Sequence, residues 1–276
     1  MRKRILISIL IIPVLVYVIY APYWNGIYFF LFLFLLSALA SREIHLLIGM
    51  VVSFRHRRTS GLWFVLPPLL IIAAGYTNRF INASPGAMLY TGAVIVAGLC
   101  VLSLVIYGLR DGVLHFLISS ANFVYSGVFP LLLLLLHGEY RGFMFIWFLF
   151  FAVWVNDAAA YFIGSLFGRT RGILQYSPNK SLEGYIGAFV ITMIMVNVFK
   201  LIFRSGFAPD IVQTNVMGFC IALTAPLGDL GESFFKRKTG VKDSSAFLPG
   251  LGGVLDIFDS VLLSVPLYYI LVQRIL

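Results

Sequence analysis

FMFIWFLFFAVWVNDAAAYFIGS, residues Phe143 to Ser165, is the stretch whose reading decides the fold. Its apolar residues run unbroken to Val155 without alternation, and the whole stretch reaches the roughly twenty residues needed to cross ~30 Å of hydrocarbon. A run lacking period two does not fit a barrel strand. Because an unsatisfied backbone group in hydrocarbon costs several kcal/mol, such a run spans as a helix. Towards its end stand Asn156 and Asp157, polar groups that the same hydrocarbon penalises.

The rest of the chain extends this pattern. Of 276 residues 61% are hydrophobic and 11% charged, where soluble proteins carry about 25% charged residues. Nine candidate spans emerge, near 5–20, 27–40, 62–75, 87–107, 113–136, 143–165, 184–203, 211–231 and 254–273. The expected fold is therefore all-α, a polytopic membrane protein of about nine transmembrane helices. The second and third candidates are short enough to be interfacial or re-entrant instead. Met1-Arg2-Lys3-Arg4 followed by Ile5 to Tyr20 has the charged and apolar parts of a signal peptide, but Ile19-Tyr20-Ala21 is a poor cleavage site, so this stretch is read as the first span.

The twenty Lys and Arg residues exceed the eleven Asp and Glu. In a membrane protein this excess speaks to topology rather than to nucleic acid, and no nucleic-acid partner is expected. With the N-terminus in the cytoplasm, only Arg79, Arg141, Lys200, Arg204 and Arg274 fall outside, which supports nine spans with the C-terminus out. Cys100 and Cys220 lie far apart in apolar runs, with neither disulfide nor zinc spacing, and read as buried small hydrophobes. No repeat is visible. The chain divides into an N-terminal scaffold (1–85), middle helices (86–140) and a C-terminal region (141–276) where polar groups interrupt the spans, and function is expected in the last.

Asp157 lies inside the sixth span, Asp229 and Glu232 near one end of the eighth, and Asp256 and Asp259 near the start of the ninth. A charge at a span centre costs about 2.5–3.5 kcal/mol, so these acids must be hydrated, paired or bound to cations. Residues three and four apart share a helical face, which aligns Asp229, Glu232, Ser233 and Lys236 on one helix and Asp256, Asp259 and Ser260 on the next. Such faces suit Mg²⁺, which takes one or two carboxylates together with water and substrate phosphates. Structural ion pairs with Lys236, Arg237 or Lys242, or an ion relay in a transporter, would use the same acids. The connection from Phe235 to Gly253 adds basic groups, hydroxyls and glycines, a composition that lets cations and backbone amides approach phosphate.

Read as one string, Ser233-Phe234-Phe235-Lys236-Arg237, then Lys242-Asp243, Leu248-Pro249-Gly250, Gly252-Gly253, Asp256 and Asp259 resemble the signature of phosphatidate cytidylyltransferases. A second block, from Asp157 through Ala160-Tyr161, Gly164 and Gly168 to Ser177-Pro178-Asn179-Lys180-Ser181-Leu182-Glu183-Gly184, is similar to the same family's Ser-Pro-x-Lys-Ser/Thr-x-Glu-Gly loop. The resemblance covers about residues 150–260. It implies a homodimer in the bacterial inner membrane, with a polar cavity among the C-terminal helices facing the cytoplasm and membrane lipid. The implied reaction takes CTP and phosphatidic acid to CDP-diacylglycerol and pyrophosphate in phospholipid biosynthesis, with Mg²⁺ as cofactor and K⁺ as an assisting ion. By matched position, Asp229, Asp256 and Asp259 hold metal and, with Lys242, form the catalytic set. Ser177, Lys180, Ser181, Glu183, Ser233, Lys236, Arg237 and Asp243 bind substrate. Asp157 and Tyr161 are open between a direct and a structural role, and Glu232 orients the metal face.

The match has departures. Leu251 stands where the family has His, Ile257 where it has Arg, and Ser260 where it tends to Gly. These leave room for a CTP-dependent relative acting on another lipid, or for a non-catalytic paralogue. A cation-coupled transporter is the alternative of a different class. Broken helices in two matching halves would favour it, and the sequence has none.

Overall fold

The computed structural model describes residues 13–20, 26–51, 57–81, 85–172, 177–241, 243–245 and 252–276. Residues 5–12 of the first expected span lie outside these, as do Lys242 and Leu248 to Leu251. The helices are α1 (13–20), α2 (Ile27–Val51), α3 (Arg57–Ile81), α4 (Pro85–Asn122), α5 (Phe129–Gly138), α6 (Gly142–Phe167), α7 (Leu182–Ile202), α8 (Ile211–Lys238) and α9 (Leu255–Ile275), with a π-helical turn, Phe123–Val128, joining α4 to α5. Among the described residues six stretches are long and apolar enough to cross a membrane: Ile27–Val51, Tyr90–Gly138, Gly142–Phe167, Leu182–Ile202, Ile211–Lys238 and Leu255–Ile275. The chain is an all-α polytopic membrane protein.

The longest of these stretches turns back on itself. Gly108 has φ 76° and ψ −179°, a conformation open essentially to glycine alone. Nine residues along a straight helix span about 13.5 Å, yet a Cβ on Gly112 would lie 2.6 Å from the Ser103 carbonyl oxygen. Ser103 Oγ and His115 Nδ1 are 3.0 Å apart, and the Tyr107 and His115 rings stack at 4.2 Å. The reversal falls where the expected spans 87–107 and 113–136 divide. Conversely, α2 runs eleven residues beyond the expected end at 40. The polar run Ser41-Arg42-Glu43 does not stop it, because Ser41 and Glu43 turn inward and are buried.

Two compact units are distinguished, Met1–Gly138 with Asp243–Leu255, and Glu139–Lys242 with Asp256–Leu276. The first is held by an apolar interior that includes Phe29, Leu33, Phe64 and Leu134, together with one polar knot. Pro68 inside α3 has no N–H, so the carbonyl of Phe64 one turn earlier loses its helical donor. Ser41 Oγ donates to that carbonyl at 2.6 Å and Asn122 Nδ2 at 2.8 Å, and Asn122 also donates to Ser41 Oγ at 2.9 Å. The proline thus creates the need that two otherwise costly buried polar side chains meet.

In the second unit, small residues set the helix crossings. A Cβ on Gly184 of α7 would stand 2.9 Å from the Ala160 carbonyl and 3.1 Å from Gly164 Cα on α6. Gly228 brings α8 equally close to α9, since a Cβ there would meet the Asp259 carbonyl at 2.6 Å. Phe145, Phe148, Phe207 and Tyr268 fill the centre, with the Tyr268 hydroxyl donating to the Phe145 carbonyl at 2.7 Å. Cys220 and Cys100 are free and only half-buried, where burial was expected.

Candidate active site

The loop before α7 is built by its own polar residues. Ser181 caps α7 by accepting from the Gly184 amide at 3.2 Å. Glu183 in the first turn accepts from the Arg169 and Thr170 amides and from the Thr170 hydroxyl, the last at 2.7 Å. Both residues were expected to bind substrate, and in this structure both accept hydrogen bonds within the loop. That leaves Lys180, whose backbone amide is tied to the half-buried Ser177 through its carbonyl. Its ammonium crosses to α8 and forms an ion pair with Asp229.

Asp229 follows Gly228 in α8, so the glycine that admits α9 also brings the Asp229 carboxylate near that helix. Ser233 one turn later donates weakly to Asp229 Oδ1 at 3.4 Å. On the next turn Lys236 donates to Glu232 Oε2 at 3.0 Å and to Asp256 Oδ1 of α9 at 2.5 Å. Asp259, 5% exposed, accepts from the Ser260 amide at 2.5 Å. Asp157 of α6 keeps an exposed side chain while lying within electrostatic reach of Asp259, Asp229 and Lys180. Three helices of this unit therefore bring together Asp157, Asp229, Glu232, Asp256 and Asp259, with Lys180 and Lys236 among them. The 38% exposure of Asp229 and the exposure of Asp157 show that the cluster is reachable from outside.

Among the other expected residues, Lys242 lies outside the described chain. Arg237 is exposed at the end of α8, and Asp243 is exposed in the first unit. Ile257 is half-buried in the first turn of α9. Tyr161, 64% exposed, lies one turn beyond Asp157. A hollow of about 660 Å³ along α7, lined by Phe189, Met193, Ile194, Asn197, Leu201 and Asn215, is largely apolar and contains none of the expected site residues.

The donors present suit a hard divalent cation. All are carboxylates, and among the described residues Glu232 Oε1 is buried with no partner within hydrogen-bond distance and geometry. Among the described residues no three acidic, histidine or cysteine side chains converge as a ready ligand set. Mg²⁺ is bound through one or two carboxylates and completes its shell with water and substrate phosphate, so carboxylate is the donor type these residues could offer it.

Sequence reasoning missed Glu43. The first half of the chain was read as apolar scaffold, yet this α2 carboxylate is 4% exposed and accepts four hydrogen bonds from the signature loop. The available signal was its isolation, since Glu43 is the only acid before Asp111.

A model of the cytidylyltransferase family matches residues 2–275. A phosphatidate cytidylyltransferase from Staphylococcus saprophyticus is 30% identical over 251 residues, covering 91% of this chain and 92% of that relative. Phosphatidate cytidylyltransferases from Haemophilus influenzae and Thermotoga maritima are 39% identical over 137 residues and 42% over 127. These two alignments cover 48% and 43% of this chain and about half of each relative, 46% and 45%.

Proposed function

Because the chain belongs to the cytidylyltransferase family, we propose that it transfers the cytidylyl group of CTP to phosphatidic acid, forming CDP-diacylglycerol and pyrophosphate for phospholipid synthesis. The observation that carries this reading is the carboxylate cluster of α6, α8 and α9, in which Lys180 and Lys236 are the cations engaged. Acids between apolar helices are costly unless cations offset them, and a divalent cation there would recruit a triphosphate. A transporter or a relative using another lipid is not favoured, since the family model spans nearly the whole chain.

In the reaction, a phosphate oxygen of phosphatidic acid forms a bond to the α-phosphorus of CTP, while the bond to the bridging oxygen breaks and pyrophosphate leaves. Positioning and electrostatics dominate such transfers. When bound, Mg²⁺ would neutralise charge on the phosphates, and Asp229, Asp256 and Asp259 are the acids from which its one or two carboxylate ligands would come. Lys180 and Lys236 are the two ammonium groups able to exchange a carboxylate partner for a phosphate oxygen. Ser233, on the face of Asp229, adds a hydroxyl donor, and Arg237 near the end of α8 adds a guanidinium; Lys242 keeps the phosphate-binding role that the resemblance implies. Asp229, Glu232 and Asp256 orient the lysines. The enzyme is assigned to the bacterial inner membrane as a homodimer with its site towards the cytoplasm, K⁺ serving as an auxiliary ion.

The test is direct. Purified protein given phosphatidic acid, radiolabelled CTP and Mg²⁺ is expected to yield lipid-soluble cytidine and free pyrophosphate in equal amounts. Failure to form either product under these conditions refutes the assignment.

A further inference from the structure

The carboxylate of Glu43 binds both ends of the loop that leads into α9. Oε2 accepts from the Ser244 hydroxyl at 3.0 Å and from the Leu255 amide at 2.8 Å. Oε1 accepts from the Ser245 hydroxyl at 2.6 Å and from the Val254 amide at 3.0 Å. Each oxygen thus takes one hydroxyl from the start of the loop and one backbone amide from its end. These amides are among those that a helix start leaves without an intrahelical acceptor, and a negative charge there is also favoured by the helix dipole.

The packing around this knot is tight. A Cβ on Gly253 would lie 2.0 Å from Ser244 Oγ and 2.4 Å from Glu43 Oε2, so glycine is the residue that lets the chain pass. Glu43 and Ser244 are buried, and a buried carboxylate is tolerated here because four donors replace its hydration. The residue after Leu255 is Asp256, so the amide that Glu43 holds stands directly before the first acid of α9.

We propose that Glu43 is a positioning residue for the cytidylyl-transfer site, acting through the amides of Val254 and Leu255 to hold the first turn of α9 and its carboxylates in register. The proposal rests on the functional reading above. Supporting partners at metal and phosphate sites typically change affinity or activity by about 10–100-fold when removed.

Glu43→Gln is the informative change. Glutamine keeps the shape but puts an NH₂ group where one oxygen was, and either oxygen faces a backbone amide that can only donate. One buried donor must lose its acceptor. Glu43→Asp retains two acceptors and the charge on a shorter stem.

Wild type and both variants are compared in micelles for kcat, KM for CTP, the Mg²⁺ midpoint of activity and amide hydrogen exchange. The expected result for Glu43→Gln is a kcat about 10–100-fold lower with a higher Mg²⁺ midpoint. Faster exchange is expected only around residues 243–260, and Glu43→Asp is expected to recover part of the rate. Kinetics within twofold of wild type in Glu43→Gln overturn the proposal. So does an equal loss in both variants with faster exchange throughout the chain, the mark of a merely structural role. If wild type itself makes no product, the functional reading fails separately. The hold on α9 is then judged by exchange, where an unchanged rate at residues 252–258 refutes it.

Discussion

Removing the Lys236 ammonium tests the electrostatic argument at its centre. Lys236 serves Glu232 and Asp256 at once, and the side chains are 13%, 4% and 8% exposed, so little solvent screens the pairs. Deleting one partner of a buried ion pair costs about 3–5 kcal/mol, because the remaining charge has neither water nor counter-ion. In Lys236→Met two carboxylates are left, but proton uptake by one of them relieves the repulsion, which places the loss near the lower end, about 3 kcal/mol. A cation that binds only the folded state at one hundred times its Kd adds about 2.7 kcal/mol. Mg²⁺ should therefore restore most of what the lysine supplied, and restore more to the variant than to wild type. The assay is equilibrium unfolding in micelles with EDTA and with Mg²⁺, alongside turnover, which is expected to stay low because the phosphate-binding ammonium is gone. If Lys236→Met equals wild type in EDTA, the pairs are not desolvated. If Mg²⁺ does not reduce the loss, the cluster is not a cation site.

Three further outcomes are expected. Asp256→Asn should abolish turnover in the CTP assay while the protein elutes as a folded species. Ile257→Arg returns a guanidinium to the first turn of α9; one charge-assisted hydrogen bond, about 1.5–3 kcal/mol, corresponds to a rise of roughly one to two decades in kcat/KM if formed in the transition state. Gly108→Ala should lower unfolding stability by about 1–3 kcal/mol with activity per folded molecule unchanged, because its backbone angles are strained for any side chain.

Much of the molecule is legible in one dimension because hydrocarbon imposes a simple demand on backbone and side chains. Phe143 to Ser165 reads as a crossing helix, and α6 occupies Gly142–Phe167. The break between residues 107 and 113 is visible as a polar Arg110-Asp111 pair, and the chain reverses at Gly108. The acids of α8 and α9 can be placed on shared faces by counting threes and fours, and Lys236 indeed lies one turn from Glu232. Helix ends rich in buried polar groups misled the reading, as at Ser41 and Glu43, because polarity in a sequence does not say whether a side chain faces a partner or water.

The amino-acid sequence by itself determined the helices, their passage through a membrane and the acidic faces of α8 and α9, all of which follow from local periodicity and transfer energetics. Only the tertiary structure decided which partner each polar group has. It set Lys180 on Asp229, Lys236 across Glu232 and Asp256, Ser181 and Glu183 on their own loop, and Glu43 on amides more than two hundred positions away. The physical reason is that a buried charge is satisfied by whatever donor packing brings within about 3 Å, and such neighbours are set by helix crossings at residues such as Gly184 and Gly228 rather than by distance along the chain.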